Sequence, residues 1–220
     1  MIARQIVSTT LPPLKSTDTI ERALHWMHDF HLAHLPIVEH GKLIGLVAEE
    51  DILNHHDHTD TLGQLQLSVS RPYVQDTDHI YDIVKAVAQK KLTAIPVIDK
   101  AEQFIGTISL ESLLHYFAES GSLTETGSIV VLEMPRKDYV LSTIARITEA
   151  ENVHILSSYI TSPPDTETLE LTLKLDSSQI QRVVATYERF GYHIKAAFEE
   201  SDYIETLQQR YDALMSYLDI

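Results

Sequence analysis

Cysteine is absent from all 220 residues. That excludes disulfides, thiolate metal sites and a cysteine nucleophile. No apolar run approaches the roughly 20 residues needed to span a bilayer. The opening Met1-Ile2-Ala3-Arg4 leads into polar residues, without the apolar stretch of a signal peptide. A soluble, cytoplasmic protein with no membrane partner is the expectation. Basic residues are scarce, 17 Lys and Arg against 32 Asp and Glu, for a net charge of −15. Binding nucleic acid would then bring two polyanions together without counterion release, so no nucleic-acid partner is expected. Anionic membrane surfaces are disfavoured for the same reason. There is no P-loop, no nucleophile elbow and no HExxH motif. No catalytic residues are assigned, and the chain does not read as an enzyme.

What the chain does have is a hydrophobic content of 44% and enough length for two small domains or one large one. The organising stretch is LPIVEHGKLIGLVAEEDIL, Leu35 to Leu53. Its first four residues read as an apolar strand. Glu39-His40-Gly41-Lys42 is a tight polar turn in which Gly41 can take a positive φ. Leu43 to Val47 returns as a second strand, completing a hairpin. Glu49, Glu50 and Asp51 then open a helix, where acidic residues suit the positive end of the dipole.

The pattern recurs at IPVIDKAEQFIGTISLESLL, Ile95 to Leu114. Pro36 matches Pro96, and Gly45 matches Gly106. Upstream, Pro12, Thr17, Asp18, Ile20 and Leu32 match Pro72, Thr77, Asp78, Ile80 and Leu92 at a constant offset of 60. The offset becomes 61 after the turn, and a one-residue gain at a turn is cheap. At these residues the chain resembles the CBS domain family, whose tandem pair is called a Bateman module. The family signature is a hydrophobic-Pro-hydrophobic strand, then Gly-hydrophobic-x-Ser/Thr-x-x-Asp at a strand-to-helix corner. Here the corner reads Gly45-Leu46-Val47-Ala48-Glu49-Glu50-Asp51 and Gly106-Thr107-Ile108-Ser109-Leu110-Glu111-Ser112.

The resemblance implies a site for an adenosyl compound such as AMP, ATP or S-adenosylmethionine, with no cofactor required. Asp at the helix start would accept from a ribose cis-diol, Ser or Thr would donate to a phosphate, and the hydrophobic-Pro strands would enclose the purine. Carried over residue by residue, the candidate nucleotide contacts are Leu35, Pro36, Ala48 and Asp51, then Ile95, Pro96, Ser109 and Ser112. The first corner keeps the carboxylate but has Ala48 in place of the hydroxyl. The second keeps Ser109 but has Ser112 in place of the carboxylate. Ribose is therefore expected at Asp51. Glu49 and Glu50 stand near the phosphate position, so AMP, adenosine or a sulfonium ligand should outrank ATP. The alternative is a pair of vestigial sites in a dimerisation scaffold.

In chain order, a helix is expected over Thr17–His31. Asp18 and Glu21 would form its capping box, and Ile20, Ala23, Leu24, Met27 and Phe30/His31 its apolar stripe. Trp26 beside the stripe is expected to be half-buried. His25, His28, His31 and His34 recur every third residue and drift around the helix rather than lining one face. Neither they nor His55-His56-Asp57-His58 show a paired set with a supporting carboxylate, so no metal site is assigned. A metal-dependent enzyme using these histidines is a remote third class; the histidines could also confer pH sensitivity. A second helix buries Ile80, Ile83, Val84 and Val87. The small polar run from Glu119 to Gly127 reads as a domain boundary.

From Ser128 to Glu200 the order reads strand, helix, strand, strand, helix, strand. The clearest element is the alternation of Leu169, Leu171, Leu173 and Leu175 with polar residues. A turn is expected at Pro163–Asp165, a helix capped by Asp176/Ser177 follows, and Gly191 ends that helix. This βαββαβ order is the ferredoxin-like split unit. Placed after a CBS pair it looks like an ACT domain, and the whole is similar to the CBS–ACT proteins labelled acetoin-utilisation B-like. The Met134–Asp138 loop lacks the Gly of amino-acid-binding ACT domains, so amino-acid binding there is expected to be absent or weak. The stacking aromatics of an RNA-binding domain with this topology are missing. Tyr203 to Leu218 carries a heptad stripe of Ile204, Leu207, Tyr211, Leu214 and Leu218.

The expected organisation is thus an α+β chain. CBS repeats over 1–58 and 59–120 precede an ACT-like domain over 128–200 and an amphipathic helix over 201–220. The expected function is ligand-responsive regulation by population shift in a homodimer.

Overall fold

The computed structural model describes residues 1–55, 57, 59–69, 71–119, 121–162, 166–199 and 215. The chain divides into two compact units, Met1–Ala118 and Glu119–Ile220. Among the described residues no helix is long and apolar enough to cross a membrane. The heptad stripe beyond Ser201, the Pro163–Asp165 turn and the histidines at 56 and 58 lie outside the described residues, as does all of 201–220 except Met215.

In the first unit the repeat is visible element by element. Helix α1 spans Ile20–Asp29, strand β1 His34–Glu39, β2 Lys42–Ala48 and α2 Glu49–Leu53. The second copy comprises β3 Val74–Gln75, α3 Ile80–Lys90, β4 Ala94–Ile98, β5 Phe104–Ser109 and α4 Leu110–Glu119. β1 and β2 form an antiparallel hairpin, as do β4 and β5. β3 runs parallel to β4 through Val74 opposite Val97. Its counterpart is a single parallel bridge between Leu14 and Ile37, 60 positions earlier on both sides. Even the register slip recurs, between Ile37 and Val38 and between Val97 and Ile98. His40 and Gly41 make the first hairpin turn, both at positive φ, 49° and 76°. Successive left-handed residues suit the right-handed twist of the flanking strands.

α1 is shorter than its apolar periodicity predicts. It begins after Thr19, whose hydroxyl accepts from the Arg22 amide at 3.3 Å. Thr19 is the last extended residue, so it takes the capping position. Asp18 is drawn away: it accepts from the Lys15 amide at 2.7 Å and pairs with Arg22 at 3.0 Å. Phe30 lies past the helix end and is 39% exposed, so the buried stripe is Ile20, Ala23 and Met27. Trp26 is half-buried under the Arg22 guanidinium, 4.6 Å from the ring centre.

Each repeat completes its core with a segment from outside itself. Ala3, Ile6 and Val7 pack into the cluster of the second repeat, around Ile83, Ile95 and Ile108. Leu62, Leu65 and Leu67, between the repeats, pack into the cluster of the first, around Ile20, Leu35 and Ile52. Backbone bonds fix both docks: Ser8 exchanges amide bonds with Thr107, and the Ile20 amide donates to Asp60 O. The hairpin tips meet through Val38, Leu43, Ile98 and Phe104, and the Phe104 amide donates to Gly41 O at 2.8 Å. Burying such side chains contributes about 1.5–3 kcal/mol each, which two cores this small need to share.

The second unit is an α+β sandwich of the ferredoxin-like order. After a short helix α5, Gly121–Thr124, its elements are β6 Ser128–Pro135, α6 Leu141–Ala150, β7 Ile155–Thr161, β8 Thr168–Leu175, α7 Gln181–Arg189 and β9 His193–Phe198. The sheet order is β7-β8-β6-β9, antiparallel throughout. Val130, Leu132, Met134 and the four leucines of β8 alternate inward, meeting Ile144, Ile147, Val183 and Tyr187 of the two helices. Gly191, at φ 83°, follows the end of α7 as its sequence position predicts. The expected Asp176/Ser177 cap does not form. α7 starts later, at Gln181, because Asp176 accepts from both the backbone N–H and Nδ1 of His154, at 2.7 Å each.

Candidate functional site

The two strand-to-helix corners are built alike. A motif glycine precedes each, and in each case a segment from outside the hairpin lies against it. A Cβ on Gly106 would fall 2.5 Å from Ser8 O, and one on Gly45 would fall 2.6 Å from the Leu67 side chain. Each corner is therefore formed jointly by a hairpin and by the segment docked on it.

The polar chemistry of the corners is split. In the second, Ser109 Oγ accepts from the Ser112 amide at 3.1 Å and lies 3.0 Å from Ser112 Oγ. In the first, Asp51 Oδ2 accepts from the Ala48 amide at 3.0 Å, and Oδ1 accepts from the Ser68 amide at 2.9 Å. A hydroxyl bonded to the amide three residues on, and a carboxylate bonded back, are the two arms of a capping box. Each corner retains one arm. Asp51 is 9% exposed, and its second oxygen ties the inter-repeat segment down.

A cavity opens at each corner of this unit. The one at the second corner has a volume of about 590 Å³. Leu11, Phe30, Leu32 and Leu114 supply its apolar wall, and Ser8, Thr10, Ser109 and Ser112 supply hydroxyls. The one at the first corner has a volume of about 570 Å³ and is lined by Asp51, Asn54, His55 and the run from Leu65 to Ser68. The two sets correspond through the repeat: Ser8 with Ser68, Ser112 with Asp51, His115 with Asn54. Neither lining includes a Lys or Arg, and each includes one carboxylate, Glu111 or Asp51.

Of the eight sequence candidates, Ser109 and Ser112 line the cavity at the second corner and Asp51 lines the one at the first. Leu35, Pro36, Ala48, Ile95 and Pro96 are buried in the strands or at the corner and line neither. Ser8, Thr10, Phe30, Leu32 and His115 were not candidates. The signal for Ser8 was present, since a serine recurs at 68. Phe30 and Leu32 follow α1 in the first repeat yet line the corner of the second, a contact no local pattern encodes.

Among the described residues no group of three or more His, Asp or Glu could hold a metal ion. His25 pairs instead with Asp29 at 3.2 Å, and His55 with Asp60 at 2.7 Å. In the second unit, small cavities border His154 and Asn152; neither is lined by the Met134–Asp138 loop.

Two hairpin-and-helix repeats packed as a pseudo-symmetric pair, with a cavity at each corner, define the class of fold to which this unit belongs. The CBS domain family matches residues 3–57 and 66–119, one match for each repeat, so this part of the chain is a tandem CBS pair. The chain is similar to the CBS domain-containing protein MJ0729 of Methanocaldococcus jannaschii, 26% identical over 38% of this chain and 68% of that protein. It is also similar to the crystal structure of a CBS domain pair/ACT domain protein of Thermotoga maritima. The identity there is 21% and the TM-score 0.48, over 54% of this chain and 98% of that one. A further similar structure is the CBS domain pair of protein MJ0100 in complex with 5′-methylthioadenosine and S-adenosyl-L-methionine. It is 22% identical with a TM-score of 0.43, over 54% of this chain and 96% of that one.

Proposed function

We propose that the protein is a ligand-responsive regulator rather than an enzyme, and that its CBS pair takes an adenosyl compound in the cavity at the second corner. The observation that carries this reading is the composition of that cavity. Its apolar wall accommodates a purine, and its hydroxyls from Ser8, Thr10, Ser109 and Ser112 offer donors and acceptors to a ribose. Asp51, the ribose acceptor suggested by sequence, is the weaker candidate, because both its oxygens already accept backbone amides. Each oxygen keeps a lone pair, so the first corner would be a secondary site.

With no Lys or Arg around either cavity, a polyphosphate has no counter-charge there. A carboxylate about 4 Å from a phosphate costs roughly 4 kcal/mol at an effective dielectric of 20. Adenosine, AMP or a sulfonium such as S-adenosylmethionine therefore outranks ATP. Phe30 and Leu32 of the first repeat line the same cavity as Ser109 and Ser112 of the second. A ligand that draws these walls together favours one arrangement of the repeats. In this reading the ferredoxin-like unit is ACT-like and reports the change, and the protein works as a cytoplasmic homodimer.

Calorimetry with adenosine, AMP, ATP and S-adenosylmethionine tests the proposal on the wild type, Ser112→Leu and Asp51→Asn. Saturable binding is expected for the wild type and Asp51→Asn, and none for Ser112→Leu, which removes a hydroxyl from the corner and puts a larger apolar side chain in its place. Binding kept by Ser112→Leu and lost by Asp51→Asn would move the site to the first corner. A second reading, a dimerisation scaffold with vestigial sites, is favoured by the split capping box, since both corners spend polar groups on their own helices. It predicts no binding by any variant.

A further inference from the structure

The two repeats meet at a side-chain contact that the repeat pattern does not duplicate. His34 opens β1, and Thr93 directly precedes β4. The Thr93 amide donates to His34 Nδ1 at 3.2 Å, and Thr93 Oγ1 lies 3.1 Å from the same nitrogen. The Ala33 amide donates to Thr93 Oγ1 at 3.0 Å. The position matching His34 in the second repeat is Ala94, so the imidazole stands on one side only.

The clasp is continuous with both corners. Ala33 O accepts from the amide of Glu49, the first residue of α2, at 2.9 Å. Thr93 O accepts from the amide of Leu110, the first residue of α4, at 3.0 Å. The residues that close the clasp therefore also hold the start of each corner helix, and Ser109 of the cavity directly precedes Leu110.

We propose that His34 makes the pairing of the two CBS repeats proton-sensitive: neutral imidazole closes the clasp on Thr93, and protonation at Nδ1 opens it. A backbone N–H can only donate, so Nδ1 must present its lone pair. A proton there sets N–H against N–H. Thr93 Oγ1 has one lone pair left beside the bond from the Ala33 amide, but the Thr93 amide has no acceptor once Nδ1 carries a proton. The charged groups acting on the ring are Glu50, Asp51 and Glu49, all on α2, and they favour the proton. The second repeat presents Thr93, which carries no charge. Burial of the ring outweighs the three carboxylates and holds its pKa below the usual 6.5. Because the unfolded chain binds this proton more readily, the contribution is full above about pH 6.5 and is lost as pH falls below it.

The test uses the full chain without ligand, so it stands whether or not the cavities bind adenosyl compounds. Nitrogen and proton NMR across pH 8 to 5 should show His34 neutral with Nε2 protonated and titrating below 6.5, and the Thr93 amide shifting in the same transition. Denaturant unfolding of the wild type should lose up to tenfold in equilibrium constant per pH unit relative to His34→Gln, whose side-chain oxygen accepts from Thr93 without titrating. The other histidines are common to both proteins and cancel. A neutral ring protonated at Nδ1, a pKa at or above 6.5, or a Thr93 amide indifferent to the transition overturns the proposal even where His34→Gln fails to fold. So does an identical pH dependence of the two proteins.

Discussion

Asp51 and Ser109 hold opposite arms of one capping box: the carboxylate bonds back to Ala48 in the first repeat, and the hydroxyl bonds forward to Ser112 in the second. Neither capping box pairs a carboxylate with a hydroxyl, the combination that would both brace the helix start and grip a ribose.

Completing the box should therefore strengthen binding. Ser112→Asp places a carboxylate three residues after Ser109, beside the larger cavity. It adds a charged acceptor for a cis-diol, worth about 1.5–3 kcal/mol as a charge-assisted bond. Adenosine affinity should rise by at least tenfold in calorimetry. Unchanged affinity in a folded variant would detach the corner from ribose recognition.

Removing the other arm should cost stability before it costs anything else. Asp51→Ala leaves the amides of Ala48 and Ser68 without their acceptor, in a place where the carboxylate is almost fully buried. Each unmet buried donor costs about 1–3 kcal/mol. A drop of roughly 2–4 kcal/mol in urea unfolding is expected. A drop under about 0.5 kcal/mol would show that water reaches both amides.

The two motif glycines should differ in their tolerance of a methyl group. At Gly106 the new Cβ meets backbone, Ser8 O at 2.5 Å, whereas at Gly45 it meets the end of a flexible side chain, Leu67 at 2.6 Å. Gly106→Ala should cost about 1–3 kcal/mol more than Gly45→Ala. Thermal melts of the two single variants decide it, and equal losses would contradict the close docking of residue 8.

Acid should act on the second unit through Asp176. Its carboxyl lies below the usual carboxylate range, chiefly because the His154 amide donates to it and then because the His154 side chain does. A lowered folded pKa gives a contribution that is present above about pH 4 and is lost as pH falls through the folded value. Asp176→Ala should therefore match the wild type in acid and fall behind it at neutral pH. A constant gap across that range, read by circular dichroism melts, would remove the carboxylate from the account.

How much of this was legible in the sequence follows from where the contacts lie. The repeat was readable because each copy carries the same hairpin, glycine and helix start in order, and the apolar alternation of β8 survives in the sheet. The caps were less readable, because Asp18 and Asp176 had competing partners in Lys15, Arg22 and His154. The cavity walls at Phe30 and Leu32, and the bond from Thr93 to His34, join residues of different repeats. Such contacts depend on how two hairpins abut, which no periodicity within one of them records.

The docking of residues 3–7 on the second repeat, and of residues 62–67 on the first, also bears on how the chain is made. A ribosome releases the first repeat early, and the segment that covers it follows at once. Residues 3–7 dock instead on a repeat that follows much later in the chain. Ser8 must wait for Thr107 to emerge before its amide finds this partner, so residues 3–8 are the last strip of this module to settle. A chaperone or protease acting during synthesis would find residues 3–8 uncovered for as long as the second repeat is incomplete.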